Sequence, residues 1–149
     1  MESKALNYSQ LFLRIAVSLC FLSAVADRFG MWGAAGEAGI NWGNWDNFVS
    51  YSNSVNSFMP DSIGNILAVI ATSLEIILPL LLLVGYKIRL TALAAGTLLL
   101  LFAIAMTISF GIKPSLDYSV WTGAAGCFLL SAIPSYKYSI DSFIVQKTK

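Results

Sequence analysis

Histidine is absent from this 149-residue chain, charged residues make up only 11% of it, and cysteine occurs twice, at Cys20 and Cys127, outside any Cys-x-x-Cys pattern. Without histidine or clustered cysteine, a haem with an axial histidine, a cysteine-ligated iron-sulfur cluster and a Cys/His zinc site have no ligands to draw on. Neither a metal site nor a covalently bound cofactor is expected. Nine Lys and Arg offset eight Asp and Glu, with no run of like charge longer than two, so the electrostatic footprint of a nucleic-acid binder is missing as well. What is abundant is apolar: 57% of residues are hydrophobic and the mean hydropathy is +0.73, against roughly 45 to 50% apolar and about 25% charged in soluble domains. The composition is that of a membrane protein, and the length suits a single membrane domain over residues 1–149 without a second, cofactor-binding one.

Apolar runs of about 20 residues predict four transmembrane helices, approximately at residues 8–26, 63–85, 90–112 and 118–133. The last, at 16 residues, reaches about 24 Å, so Pro134, Tyr136 and Tyr138 are expected to carry it into the interface. Alternating sides put Lys4, Arg14, Lys87, Arg89, Lys137, Lys147 and Lys149 on one face of the membrane and only Arg28 and Lys113 on the other, which makes both termini cytoplasmic. The connections are a long outer loop over residues 27–62, a short inner turn (Tyr86 to Arg89) and a short outer turn (Lys113 to Asp117). The expected fold is therefore all-α, an integral membrane four-helix up-and-down bundle. Arg14, the apolar stretch Ile15 to Leu22 and Ser23-Ala24-Val25-Ala26 imitate a signal peptide, but that stretch continues Leu11 to Leu13 into a full span and is read as retained.

The outer loop is rich in Gly, Asn and Trp, including Trp32, Trp42 and Trp45. With Asp27 and Arg28 these form the expected outer interface, as Lys87 and Arg89 form the inner one. Asn44 or Asp46 is placed to cap a short surface helix through Ser57, with Trp45, Phe48, Val49 and Val55 toward the membrane. Two readings stay open, an interfacial aromatic belt and a lid over the outer mouth of the bundle.

The second span is the informative one. Asn65, Ala68, Thr72, Glu75 and Pro79 recur at spacings of 3, 4, 3 and 4 and share one helix face, while Leu67, Ile70, Leu74, Ile77 and Leu81 share another. The polar stripe must face the bundle interior, because a carboxylate exposed to hydrocarbon costs several kcal/mol. Counting from the centres of the two spans leaves Arg14 and Glu75 about 5 Å apart along the membrane normal. That predicts a buried Arg14/Glu75 pair, with Ser18 and Thr72 as further hydrogen-bond partners. Pro79 cannot donate to the Glu75 carbonyl, so a kink and a freed carbonyl fall beside the charge. Such a pocket suits either an ion pair that fixes register or a small-molecule or proton site. In the third and fourth spans, Ala92 and Gly96, and Ser119, Thr122, Gly123 and Gly126, read as close-packing positions. Met106 reads as core or lipid contact, and both cysteines as buried small hydrophobes.

Arg14 early in the first helix, Phe21-Leu22 leading to Asp27-Arg28-Phe29-Gly30, and Glu75 followed by Gly85-Tyr86-Lys87-Ile88-Arg89-Leu90 together resemble the DoxX family of small four-helix bacterial membrane proteins. The resemblance implies a bacterial inner-membrane location and an association with membrane redox complexes such as thiosulfate:quinone oxidoreductase. Three functions follow as expectations: a non-catalytic accessory or anchoring subunit of such a complex, a subunit binding a quinone or small lipid in the Arg14/Glu75 pocket, and a small transporter. The expected partners are the lipid bilayer and membrane oxidoreductase subunits.

Overall fold

The structure, a computed structural model, describes residues 4–147. Lys149 lies outside the described residues, as does the side chain of Lys147. Among the described residues there are seven helices and no strand: α1 (Lys4–Arg28), α2 (Trp45–Val55), α3 (Asp61–Val84), α4 (Ile88–Phe110), α5 (Ile112–Asp117), α6 (Val120–Ala132) and α7 (Ile140–Lys147). Three of them, α1, α3 and α4, are long and apolar enough to cross a membrane, and α6 is apolar but only 13 residues long.

The helix limits follow from local chemistry. Asn44 caps α2, its side-chain oxygen accepting from the Asn47 N–H at 2.8 Å, as an asparagine ahead of an apolar run should. Gly85 ends α3 in the left-handed region at φ +74, with its own N–H and that of Tyr86 returning to the Leu81 carbonyl, a closure that favours glycine. The expected outer turn at 113–117 is instead the short helix α5. Pro114 falls in its first turn, where a missing N–H costs nothing, and Lys113 pairs with Asp117 one turn on. The fourth expected span is therefore the shorter helix α6, which starts at Val120 rather than Tyr118, after Ser119 turns the backbone at φ +56. Ser119 and Thr122, expected to line a packing face, are exposed, while Gly123 and Gly126 are half-buried. Helix α7 escapes a search for long spans because its apolar residues, Ile140, Phe143 and Ile144, make only a short stripe.

The core lies between α1, α3, α4 and α6: Val17 and Phe21 meet Leu78 and Leu82, Ile88, Ala92, Ala95 and Leu98, and Cys127 and Leu130. Helices α4 and α6 approach closely, and a Cβ placed on Gly96 would come within 2.9 Å of the Phe128 ring, the role small residues serve between apolar helices. Met106 is buried. Cys127 is buried but Cys20 is exposed on the flank of α1, contrary to expectation for a cysteine near mid-span.

The register of α1 against α3 decides the site. Ser18 donates to the Pro79 carbonyl at 3.1 Å, Arg14 reaches Leu82 and Leu83, and Arg28 reaches Thr72. The two helices are antiparallel, with residue 18 level with residue 79. Counting by span centres would place residue 18 level with about residue 74, so α1 is displaced along α3 by roughly 7 Å relative to that expectation.

Candidate functional site

Glu75 forms an ion pair with Arg28, not with Arg14. Both partners are buried, at 4% and 3% exposure. At the observed register Arg14 stands level with residue 83, about 12 Å along the axis from Glu75, and its side chain points to the far end of α3. Arg28 also donates to the Thr72 hydroxyl at 2.7 Å, so Thr72 does join the pair while Ser18 serves the Pro79 carbonyl instead. The polar face foreseen on α3 faces inward at Ala68, Thr72, Glu75 and Pro79; Asn65 is exposed and accepts from Asn53 of α2 at 3.0 Å.

Asp27 and Arg28, expected at the outer interface, are both buried. The Asp27 carboxylate accepts from the backbone N–H groups of Asn41, Trp42 and Gly43 at 2.9, 3.3 and 3.1 Å. Three charge-assisted bonds to consecutive N–H groups pin the middle of the long loop to the end of α1. That brings Trp42 and Phe48 onto the neighbouring Arg28, whose guanidinium carbon lies 3.8 Å from the Phe48 ring centroid and 5.3 Å from that of Trp42. A desolvated cation gains roughly 2 kcal/mol from such ring faces. Phe48 and Val55 are therefore buried against the protein rather than turned to the membrane, and α2 covers the ion pair. Its seat on α3 is close, since a Cβ at Gly64 would overlap the Asn53 side chain. Trp45 stacks on Phe29 at 5.9 Å, and the exposed Trp32 donates to the Ser23 carbonyl at 3.1 Å. Lys87 and Arg89 are exposed at the opposite end.

Arg14 is fully buried, and it answers a different need. Its Nε donates to the Leu82 carbonyl at 2.9 Å and Nη2 to Leu83 at 3.2 Å, both in the last turn of α3. Its Nη1 donates to the Lys137 and Tyr138 carbonyls at 3.3 and 3.2 Å and, at 3.5 Å, to Gln10 Oε1. The last carbonyls of a helix lack intrahelical partners and carry the negative end of its dipole. A guanidinium there satisfies them and ties residues 137–138 onto the α3 terminus.

Next to the ion pair, a groove of about 420 Å³ opens on the flank of the molecule between Phe29 and Trp45 on one side and Val69, Thr72, Ser73 and Ile76 on the other. The Thr72 hydroxyl, which accepts from Arg28, is the point where the groove touches the buried charges. Arg28 Nε is buried without an acceptor. Among the described residues no three His, Cys, Asp or Glu side chains come together as a metal site would require.

Sequence counting missed Arg28 because it closes its helix beyond the apolar run, where an arginine reads as an interface anchor. The signal was the adjacent Asp27: an acid and a base side by side at a helix end, followed by a loop rich in Gly and Trp, allow one residue to bind the loop and the other to be covered by it.

The sequence profile of the DoxX family matches residues 9–109, which carry most of α1, the covering loop with α2, α3 and nearly all of α4. No curated protein and no solved structure matches.

Proposed function

This chain belongs to the DoxX family of membrane proteins, and on that premise we propose that it is a multi-pass protein of the bacterial inner membrane, a four-helix up-and-down bundle with both termini cytoplasmic, acting as a non-catalytic accessory or anchoring subunit of a membrane redox complex. The observation that carries this reading is the filled volume around Glu75. Arg28, Thr72, Trp42 and Phe48 occupy the space that a ligand of the carboxylate would need. Pairing and covering make Glu75 a fixed structural charge, which holds α1, α2 and α3 in one arrangement.

A second reading, binding of a quinone or small lipid, is favoured by the lateral groove. Its volume of about 420 Å³ is in the range of small-molecule sites. Phe29, Trp45, Val69 and Ile76 would hold an apolar ring or chain, and the Thr72 hydroxyl would donate to a carbonyl oxygen. A quinone bound there would supply two-electron redox chemistry, with electrons from a partner subunit.

Native mass spectrometry of the full chain, released gently from its own membrane, tests both. A stoichiometric oxidoreductase subunit without a quinone-sized adduct is the result expected for the accessory role. A quinone-sized adduct lost in Thr72→Val would overturn it in favour of the groove, and neither partner nor adduct would overturn both.

A further inference from the structure

We propose that the end of the molecule formed by the α3–α4 turn, residues 133–139 and α7 is a docking surface for anionic phospholipid. This goes beyond the accessory role and does not depend on it. Lys87, Arg89 and Lys137 are exposed here. The stack of Tyr8 on Tyr138, 6.3 Å between centroids, brings the start of α1 with its exposed Lys4 to the same end. Among the described residues Asp141 is the only acid placed here, and its carboxylate is occupied: Oδ1 and Oδ2 accept from the Lys87 and Ile88 N–H groups, each at 2.8 Å. The surface is left with basic side chains and a committed acid.

Helix α7 fixes what covers it. The Asp141 N–H donates to the Gly85 carbonyl at 3.0 Å, so α7 departs at the level where the apolar α3 ends and α4 begins. On α7, Ile140, Phe143 and Ile144 fall at i, i+3 and i+4 and are all exposed, Phe143 at 68%. A short helix at the end of membrane-length helices, with an outward apolar stripe beside lysine and arginine, has the character of an interfacial helix that dips its stripe among acyl chains. Basic residues at that depth meet lipid phosphates and favour anionic headgroups over zwitterionic ones. A zwitterionic bilayer would receive the stripe equally well but would offer the basic side chains no net negative charge.

The test reconstitutes the full chain in nanodiscs of equal phosphatidylglycerol and phosphatidylcholine with identical acyl chains, then counts the lipids retained after transfer to mild detergent. Retained lipid should be several-fold enriched in phosphatidylglycerol. The enrichment should fall at about 0.5 M salt, where screening shortens to a few Å, and should shrink with each basic residue removed in the Lys87→Gln, Arg89→Gln and Lys137→Gln series, until the triple variant shows none. Melting in pure phosphatidylcholine reports whether the variants fold. Should they melt lower, the salt dependence of the unmodified chain decides. No enrichment, enrichment indifferent to salt or to the triple variant, or retention of a second copy of the chain in place of lipid would each overturn the proposal.

Discussion

Removing one partner of the Arg28–Glu75 pair leaves the other charge buried beneath α2, where both are at most 4% exposed. An uncompensated charge at such depth costs roughly 3 to 5 kcal/mol, whereas replacing both members by apolar residues of similar volume is often nearly neutral. Arg28→Met and Glu75→Leu should therefore each destabilise by about 3 kcal/mol or more, and the double variant should be no worse than either single. That corresponds to a coupling of about 3 kcal/mol. Methionine retains contact with the Phe48 and Trp42 rings, so the cycle isolates the charge term from the packing.

Reversible unfolding in mixed micelles titrated with SDS, followed by tryptophan emission, measures the cycle, since the Trp42 ring lies over the guanidinium. A parallel cycle on Arg14→Leu and Glu75→Leu is the control. Arg14 is held by carbonyls at the α3 terminus, about 12 Å along the axis from Glu75, and those two substitutions should add to within about 0.5 kcal/mol. Additive effects at 28 and 75, or coupling at 14 and 75, would refute the register of α1 on α3 from which the site is built.

Gly85→Ala should destabilise by about 2 kcal/mol or more, because the position sits at φ +74 and a Cβ there meets Arg14 Nη2 at 2.6 Å; the same unfolding titration reads it. Asp27→Ala leaves the N–H groups of Asn41, Trp42 and Gly43 without their acceptor, so limited proteolysis should cut within residues 30–44 at least tenfold faster, which corresponds to about 1.4 kcal/mol of local opening. Tyr136 donates to the Leu130 carbonyl at 2.9 Å, and burial, reinforced by Asp141 and opposed by Arg89, raises its pKa above the usual tyrosine value. Its contribution is fully present below about pH 10 and is lost as pH rises through the raised value. Tyr136→Phe should make the alkaline fall in melting temperature shallower than in the unmodified chain.

Helix existence was legible because hydropathy and length dominate it: three of the expected spans end within four residues of α1, α3 and α4. The inward face of α3 was legible too, since Ala68, Thr72, Glu75 and Pro79 repeat at helical spacing. The partner of Glu75 was not. Choosing Arg14 required the two spans to be centred on one plane, and nothing in an apolar run fixes its depth to better than a turn of helix. Depth is set by side chains that find acceptors, Ser18 on Pro79 and Arg14 on the α3 terminus, and these are long-range pairings with no local pattern. Helix α7 shares that origin, being held by polar contacts between distant segments; the short helix α2 was legible, capped at Asn44 as expected, whereas the contacts that seat it over the ion pair were not.

The two buried arginines of α1 have their charges balanced in different ways. Arg14 meets only neutral acceptors, the carbonyls at a helix end, so its charge is balanced by a dipole that cannot be protonated away. Arg28 meets a carboxylate, and that balance depends on Glu75 remaining ionised. The hydrogen bonds of Arg14 are therefore indifferent to acid, and at its end only the Asp141 carboxylate on the α3–α4 turn responds among the described residues, whereas the end covered by α2 carries the group whose protonation would leave Arg28 buried alone beneath Phe48 and Trp42. The lateral groove lies against that end, with Thr72 lining it and accepting from Arg28.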